Sequence, residues 1–201
     1  KKIYATLRAY YRQKIRNIMN ERNRGKGKAM DVFTAILKVR QIALFPDLVS
    51  EEYKKVESCK FESAKLLVDE IRAENHKILI FSQFVQVLNR IKTYFDKQGY
   101  TYSCITGQTR DRDSEIRKFQ NDDTTGLFLL SLKAGGTGIN LTAADYVIIY
   151  VPWWNPAVEQ QAMDRSHRIG QSEKVTVYKM IVKDTIEEKT LKLQEQKQKM
   201  V

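Results

Sequence analysis

Residues 77–105 read KILIFSQFVQVLNRIKTYFDKQGYTYSCI. Lys77-Ile-Leu-Ile-Phe81 is a short apolar run that predicts a strand, Val87, Leu88, Ile91 and Phe95 recur at helical spacing, and Tyr100 to Ile105 predicts a second strand. Strand, helix and strand in immediate succession form the unit of a parallel sheet, because parallel neighbours need a crossover connection. Upstream, Phe61, Ala64, Val68 and Ile71 mark a helix face. Downstream, the same alternation continues with a helix over 110–120, strands over 127–131 and 146–151, a helix over 156–168 and a strand over 175–182. A last helix begins at Asp184 or Thr185, with Glu187 and Glu188 as capping-box acids. Residues 61–201 therefore predict a doubly wound α/β domain whose mainly parallel sheet is covered by helices on both faces. Such domains place their sites at the carboxyl ends of the strands.

The N-terminal part follows a different pattern. Ile3, Leu7, Tyr10, Tyr11 and Ile18 fit one helix and Met30, Phe33, Leu37 and Leu44 a second, with Pro46 ending it. We expect a helical segment over residues 1–48 and a polar linker over 49–60. Charge is concentrated here. Lys1 to Lys28 hold ten Lys or Arg against one acid, Glu21, a local +9 that leaves +2 for the remaining 173 residues of a chain carrying +11 in all. Such a helix suits a phosphate backbone, and equally a solvated face.

The 201 residues, 42% hydrophobic and 29% charged, suffice for a folded core without disulfides or metals. No apolar run of membrane-spanning length and no signal core occurs, so the chain is expected to be intracellular, with no membrane partner. Cys59 and Cys104 stand apart with no C-x-x-C pair, and no metal site is expected.

Four constellations carry possible chemistry. Ser131-Leu-Lys-Ala-Gly-Gly-Thr-Gly-Ile-Asn-Leu141 leaves a strand as a glycine-rich loop; Gly135, Gly136 and Gly138 let backbone amides approach an anion, with Lys133 and Thr137 as further donors. A tight turn accounts for the same glycines. Gln161, Arg165 and Arg168 share one helical stripe, an amide and two guanidiniums that repel unless an anion lies between them; ordinary surface arginines, one paired with Asp164, are the alternative. Trp153-Trp154-Asn155-Pro156 follows a strand and either stacks on bases or, the better reading, braces the next helix. Ser82-Gln83 ends the first strand with a hydroxyl and an amide.

Taken in order, these segments resemble the second RecA-like lobe of the SWI/SNF-type chromatin-remodelling ATPases, a superfamily-two helicase-like group. The resemblance runs from Lys77-Ile-Leu-Ile-Phe-Ser-Gln-Phe84 through Thr106-Gly107, Arg112 and Phe119 to Leu130–Thr142, Trp153-Trp-Asn-Pro156 and Gln161-x-x-Asp-Arg-x-x-Arg-Ile-Gly-Gln171. It closes on Asp184-Thr-Ile-Glu-Glu-Lys189. Leu37-Lys-Val-Arg-Gln41 and Pro46 fit the helical segment between that family's lobes. Where related RNA helicases carry Gly, this chain has Asp164.

The resemblance implies that Arg165 and Arg168 are arginine fingers reaching the γ-phosphate of ATP, with Gln161 orienting the site and Gly138 and Asn140 sensing nucleotide. It further implies that Ser82, Gln83, Gly107, Thr109, Ser131 and Lys133 contact the phosphates of one DNA strand. No Gly-x-x-x-x-Gly-Lys-Ser/Thr and no Asp-Glu box is present, so ATP and Mg2+ are expected to be held mainly by an N-terminal RecA-like lobe of the same, longer polypeptide. The implied enzyme is an ATP-dependent double-stranded-DNA translocase that remodels protein–DNA complexes, its further partners being DNA-bound proteins; this lobe alone is expected to be inactive. A strand-separating RNA or DNA helicase lobe and a non-catalytic nucleic-acid-binding module are the alternatives.

Overall fold

The computed structural model describes residues 2–20, 26–131, 134, 141–153, 155, 157, 159–160 and 175–198. In chain order the elements are α1 (Lys2–Asn20), α2 (Lys26–Leu44), short 3-10 turns at Pro46–Leu48 and Glu51–Tyr53, α3 (Cys59–Ala73), β1 (Ile78–Ser82), α4 (Val85–Gln98), β2 (Tyr102–Ile105), α5 (Arg112–Asn121), β3 (Leu127–Ser131), β4 (Tyr146–Ile149), β5 (Thr176–Lys179) and α6 (Ile186–Gln198). The chain divides into two compact units, Lys1–Glu62 with Val182–Lys189, and Ser63–Ile181 with Thr190–Val201.

The larger unit is built on one sheet in the order β2-β3-β1-β4-β5, with every neighbouring pair parallel. Every residue of the central strands β1 and β3 is buried, which explains why both read as unbroken apolar runs rather than alternating ones. At the outer edge, β5 leaves Val177 and Tyr178 partly exposed. Leu79, Phe81, Phe128 and Leu130 form the core with Ile105, Phe119, Val147 and Ile149. Each such side chain contributes about 1.5–3 kcal/mol relative to exposure.

Two helices show how local sequence sets the sheet's surroundings. α4 buries Val87, Leu88, Ile91 and Phe95, one stripe of an otherwise polar helix, and stops at Gly99 in the left-handed conformation, φ 72°. α5 starts where Asp111 accepts the amide of Ser114 at 2.9 Å and buries Phe119, which meets Phe128 edge to face with centroids 5.2 Å apart. The connection from β1 leads through α4 to β2 on one side of the sheet, and that from β4 leads to β5 on the other. The carboxyl ends of β1 and β4 thus flank the topological switch point, where ligands enter doubly wound sheets.

In the smaller unit α1 packs along α2, and Ala35, Val39, Ile42, Leu44, Phe45 and Pro46 are buried. Lys60, at the end of the polar stretch that follows Pro46, is buried as well. Its Nζ lies 2.6 and 2.8 Å from the two carboxylate oxygens of Glu187. Glu187 also accepts the Val182 amide at 2.9 Å. Burial draws the Arg40 guanidinium down to about 10 and the Lys60 ammonium below its ordinary value, and the Glu187 charge opposes both shifts. One carboxylate thus answers two buried cations. At the start of α6, Thr185 Oγ1 accepts the Glu187 amide at 3.2 Å and Glu188 accepts the Asp184 amide at 3.0 Å, so the capping acid proper is Glu188. Among the described residues no helix is long and apolar enough to cross a membrane.

Candidate functional site

Ser82 and Ser131 are the last residues of two adjacent strands and stand opposite each other in the β1–β3 ladder. Both are buried, but their hydroxyls differ. Ser82 Oγ accepts the Phe84 amide at 3.1 Å and lies 3.2 Å from the Phe84 carbonyl, to which it donates; it turns the chain into α4. Ser131 Oγ, in a residue 4% exposed, has no hydrogen-bond partner among the described residues. Gln83 follows Ser82, half-buried at the same strand end.

The third neighbouring strand, β2, ends in a closed turn. Thr109 Oγ1 accepts the Thr106 amide at 3.0 Å and donates to the Cys104 carbonyl at 3.3 Å, while the Thr109 amide donates to the Thr106 carbonyl at 3.2 Å. Gly107 sits in this turn, and a Cβ placed there would meet nothing within 4 Å. Neither a positive φ nor a close neighbour demands glycine at this position. The fold therefore gathers Ser82, Gln83, Gly107, Thr109 and Ser131 at the carboxyl ends of β1, β2 and β3, three strands in a row. Lys133, Gly138, Asn140, Gln161, Arg165 and Arg168 lie outside the described residues.

A polar network beyond β4 was not foreseen from sequence. The Glu159 side chain is 1% exposed. Its Oε1 accepts the Trp153 amide at 2.5 Å and the Gln194 side-chain amide at 3.0 Å. Lys179 Nζ is 2.8 Å from Oε2, an ion pair rather than a well-aimed hydrogen bond. Gln194 also donates to the Trp153 carbonyl, so α6 and Glu159 hold both polar groups of that peptide position. Trp153 packs against the sheet core; Trp154 and most of the helix expected over 156–168 lie outside the described residues. Asn155 Oδ1 accepts the Ala157 amide at 3.1 Å, as an N-terminal helix cap does. The spacing of Glu159 carries no signal of this role, because Lys179 and Gln194 are distant in sequence.

Comparison with known proteins agrees with the fold. Residues 62–170 match the helicase conserved C-terminal domain family. The chain is 42% identical over 175 residues to an uncharacterized ATP-dependent helicase of Mycoplasma pneumoniae, covering 86% of this chain and 17% of that protein. It is 45% identical over 143 residues to the chromatin-remodeling ATPase INO80 of Arabidopsis thaliana, covering 70% and 10%. The chain thus spans less than a fifth of either relative. Among solved structures, the Sulfolobus solfataricus SWI2/SNF2 ATPase core in complex with dsDNA superposes with a TM-score of 0.75 at 33% identity, covering 97% of this chain and 42% of that one. The C-terminal domain of the SWI2/SNF2 ATPase from the same organism gives 0.72 at 32% identity, covering 96% and 82%.

Proposed function

We propose a function from one premise: the chain belongs to the helicase conserved C-terminal domain family, as the C-terminal RecA-like lobe of an SNF2-type ATPase. The family uses ATP. In our reading this lobe faces a second RecA-like lobe that holds ATP and Mg2+, and delivers Arg165 and Arg168 to the γ-phosphate. There the guanidiniums meet charge that develops on the phosphoryl oxygens, a contribution of roughly a thousandfold in rate. Gln161 orients the site, and Gly138 and Asn140 sense the nucleotide. Among the described residues no group of three His, Cys, Asp or Glu could hold a metal ion, and no step assigned to this lobe passes through one.

The observation that carries the reading is the row of strand ends. Ser131 carries a buried hydroxyl with no partner among the described residues, Ser82 and Thr109 shape tight turns at neighbouring strand ends, and Gly107 leaves open space where a side chain would stand. A phosphate backbone can approach such an edge closely, and Gln83 and Lys133 add donors that carry no sequence preference. The Sulfolobus relative, solved with double-stranded DNA, supports duplex as the ligand. Alternate closing and opening of the two lobes would then move the grip along the duplex and displace or slide bound proteins.

The test is a DNA-stimulated ATPase assay on a chain containing both lobes, with duplex and single-stranded cofactors compared. Arg168→Ala is expected to retain duplex binding and to lose turnover by roughly a thousandfold. Undiminished turnover would overturn the arginine-finger role. This lobe alone is expected to show no hydrolysis, and substantial ATPase activity of the pure fragment would overturn the two-lobe reading.

A further inference from the structure

The smaller unit carries a recess of about 430 Å³ that the proposed motor site does not use. Its floor is mainly apolar, made by Tyr4 and Ile15 of α1, Ile36 and Val39 of α2, and Ile186 of α6, with Thr185 beside them. Its rim is cationic: Arg8, Arg12 and Arg16, together with Lys189, and among the described residues no Asp or Glu lines it. All four cations are exposed. Arg8 lies over the Tyr4 ring, and among the described residues Arg12, Arg16 and Lys189 have no ion-pair partner.

Spacing and composition together restrict what fits. Arg8, Arg12 and Arg16 follow each other at i, i+4 and i+8, so their Cα atoms step along one helix face at intervals of about 6 Å. Carboxylates at the same i, i+4, i+8 spacing on a second helix would match that step. A phosphate backbone would meet the cations but would gain nothing from an apolar floor. The apolar line also continues past the recess: Met19, four residues beyond Ile15 on the same stripe, is 73% exposed. An exposed apolar side chain on the helix that carries the three guanidiniums suits a protein-binding groove, in which apolar anchors fill the floor and charged pairs set register.

We propose that this recess docks an acidic amphipathic helix, a peptide segment with Glu or Asp at i, i+4 and i+8 on one stripe and aliphatic anchors on the adjoining one. The charges steer and align the segment, while Ile15, Ile36, Val39 and Met19 take its anchors. The groove shares no residue with the strand-end row and makes no use of Arg165 or Arg168, so its test stands apart from that of the ATPase reading.

The probe is a fluorescein-labelled synthetic helix of about five turns, with Glu and Leu on the two stripes, titrated with this chain by fluorescence anisotropy; a short DNA duplex serves as competitor. Binding is expected to weaken tenfold or more in Arg12→Ala/Arg16→Ala and several-fold in Met19→Ser. It is also expected to disappear when the peptide's Glu residues are replaced by Gln, and to weaken several-fold when its Leu residues become Ser. All the substituted protein side chains are solvent-exposed positions on a helix, so circular dichroism of the variants should be unchanged. Failure of the Glu/Leu peptide to bind would overturn the proposal, as would binding indifferent to Met19→Ser. Displacement by duplex DNA whose own affinity falls in Arg12→Ala/Arg16→Ala but not in Met19→Ser would also overturn it, and would assign the stripe to nucleic acid.

Discussion

Lys60 and Glu187, 127 positions apart in sequence, form an ion pair with Nζ–Oε distances of 2.6 and 2.8 Å, and their side chains are 2% and 1% exposed. Two charges withdrawn from water to this degree hold together only because each is the other's main compensation. Glu187 carries the larger share, since it also faces the Arg40 charge and accepts the Val182 amide.

That asymmetry is measurable. Glu187→Gln strands the Lys60 ammonium and removes the counter-charge of Arg40, and it should cost about 3–5 kcal/mol in urea unfolding. Lys60→Met leaves Glu187 with Arg40 and the Val182 amide and should cost distinctly less. Equal costs would mean that the two cations do not share the carboxylate.

Glu159 is the second buried carboxylate with a structural task. Glu159→Ala removes the acceptor of the Trp153 amide and leaves Lys179 and Gln194 without it, a loss of about 2–3 kcal/mol. Tryptophan emission should shift to the red as Trp153 loosens from the core, and an unshifted spectrum would show that packing alone holds it.

Gly107 separates stability from binding. Because an added methyl meets open space, Gly107→Ala should change the unfolding free energy by less than about 0.5 kcal/mol. If the strand-end row lies against a phosphate backbone, the same methyl should weaken duplex binding of the two-lobed enzyme several-fold. Wild-type affinity in Gly107→Val as well would remove this turn from the interface.

Asp122 gives the fold an acid response. Its carboxylate accepts from the Thr124 hydroxyl and amide and from the Thr125 hydroxyl, which hold it down to about 2. A carboxyl depressed in the folded state contributes stability above its unfolded pKa of about 4 and loses that contribution as pH falls through its folded value. The window therefore runs from about pH 4 to about pH 2. Carbon-detected NMR titration should place the Asp122 midpoint near the lower figure, and Asp122→Asn should flatten this part of the stability profile.

Much of the sheet was legible because its physics is local. Unbroken apolar runs located β1 and β3 almost to the residue, observed at Ile78–Ser82 and Leu127–Ser131 against expected spans of 77–81 and 127–131. The last two strands were read too long. Tyr150 and Val151 are buried like strand residues but lie beyond β4, and the edge strand β5 keeps only Thr176–Lys179 of the apolar stretch that marked it. Of the candidate site residues, those at strand ends could be placed by topology alone, as with Ser82 and Ser131. The pairing of Lys60 with Glu187 and of Glu159 with Lys179 and Gln194 was invisible, because a lone Lys or Glu in sequence looks the same whether it meets water or a distant counter-charge.

The first compact unit is assembled from both ends of the chain, Lys1–Glu62 and Val182–Lys189. On the ribosome, then, Lys60 emerges long before its carboxylate is translated, and α1 and α2 must wait with an unneutralised ammonium where their interior will be. The strands of the sheet, all encoded between the two halves, can pair first. This unit is therefore completed late, only once the segment Val182–Lys189 has been made.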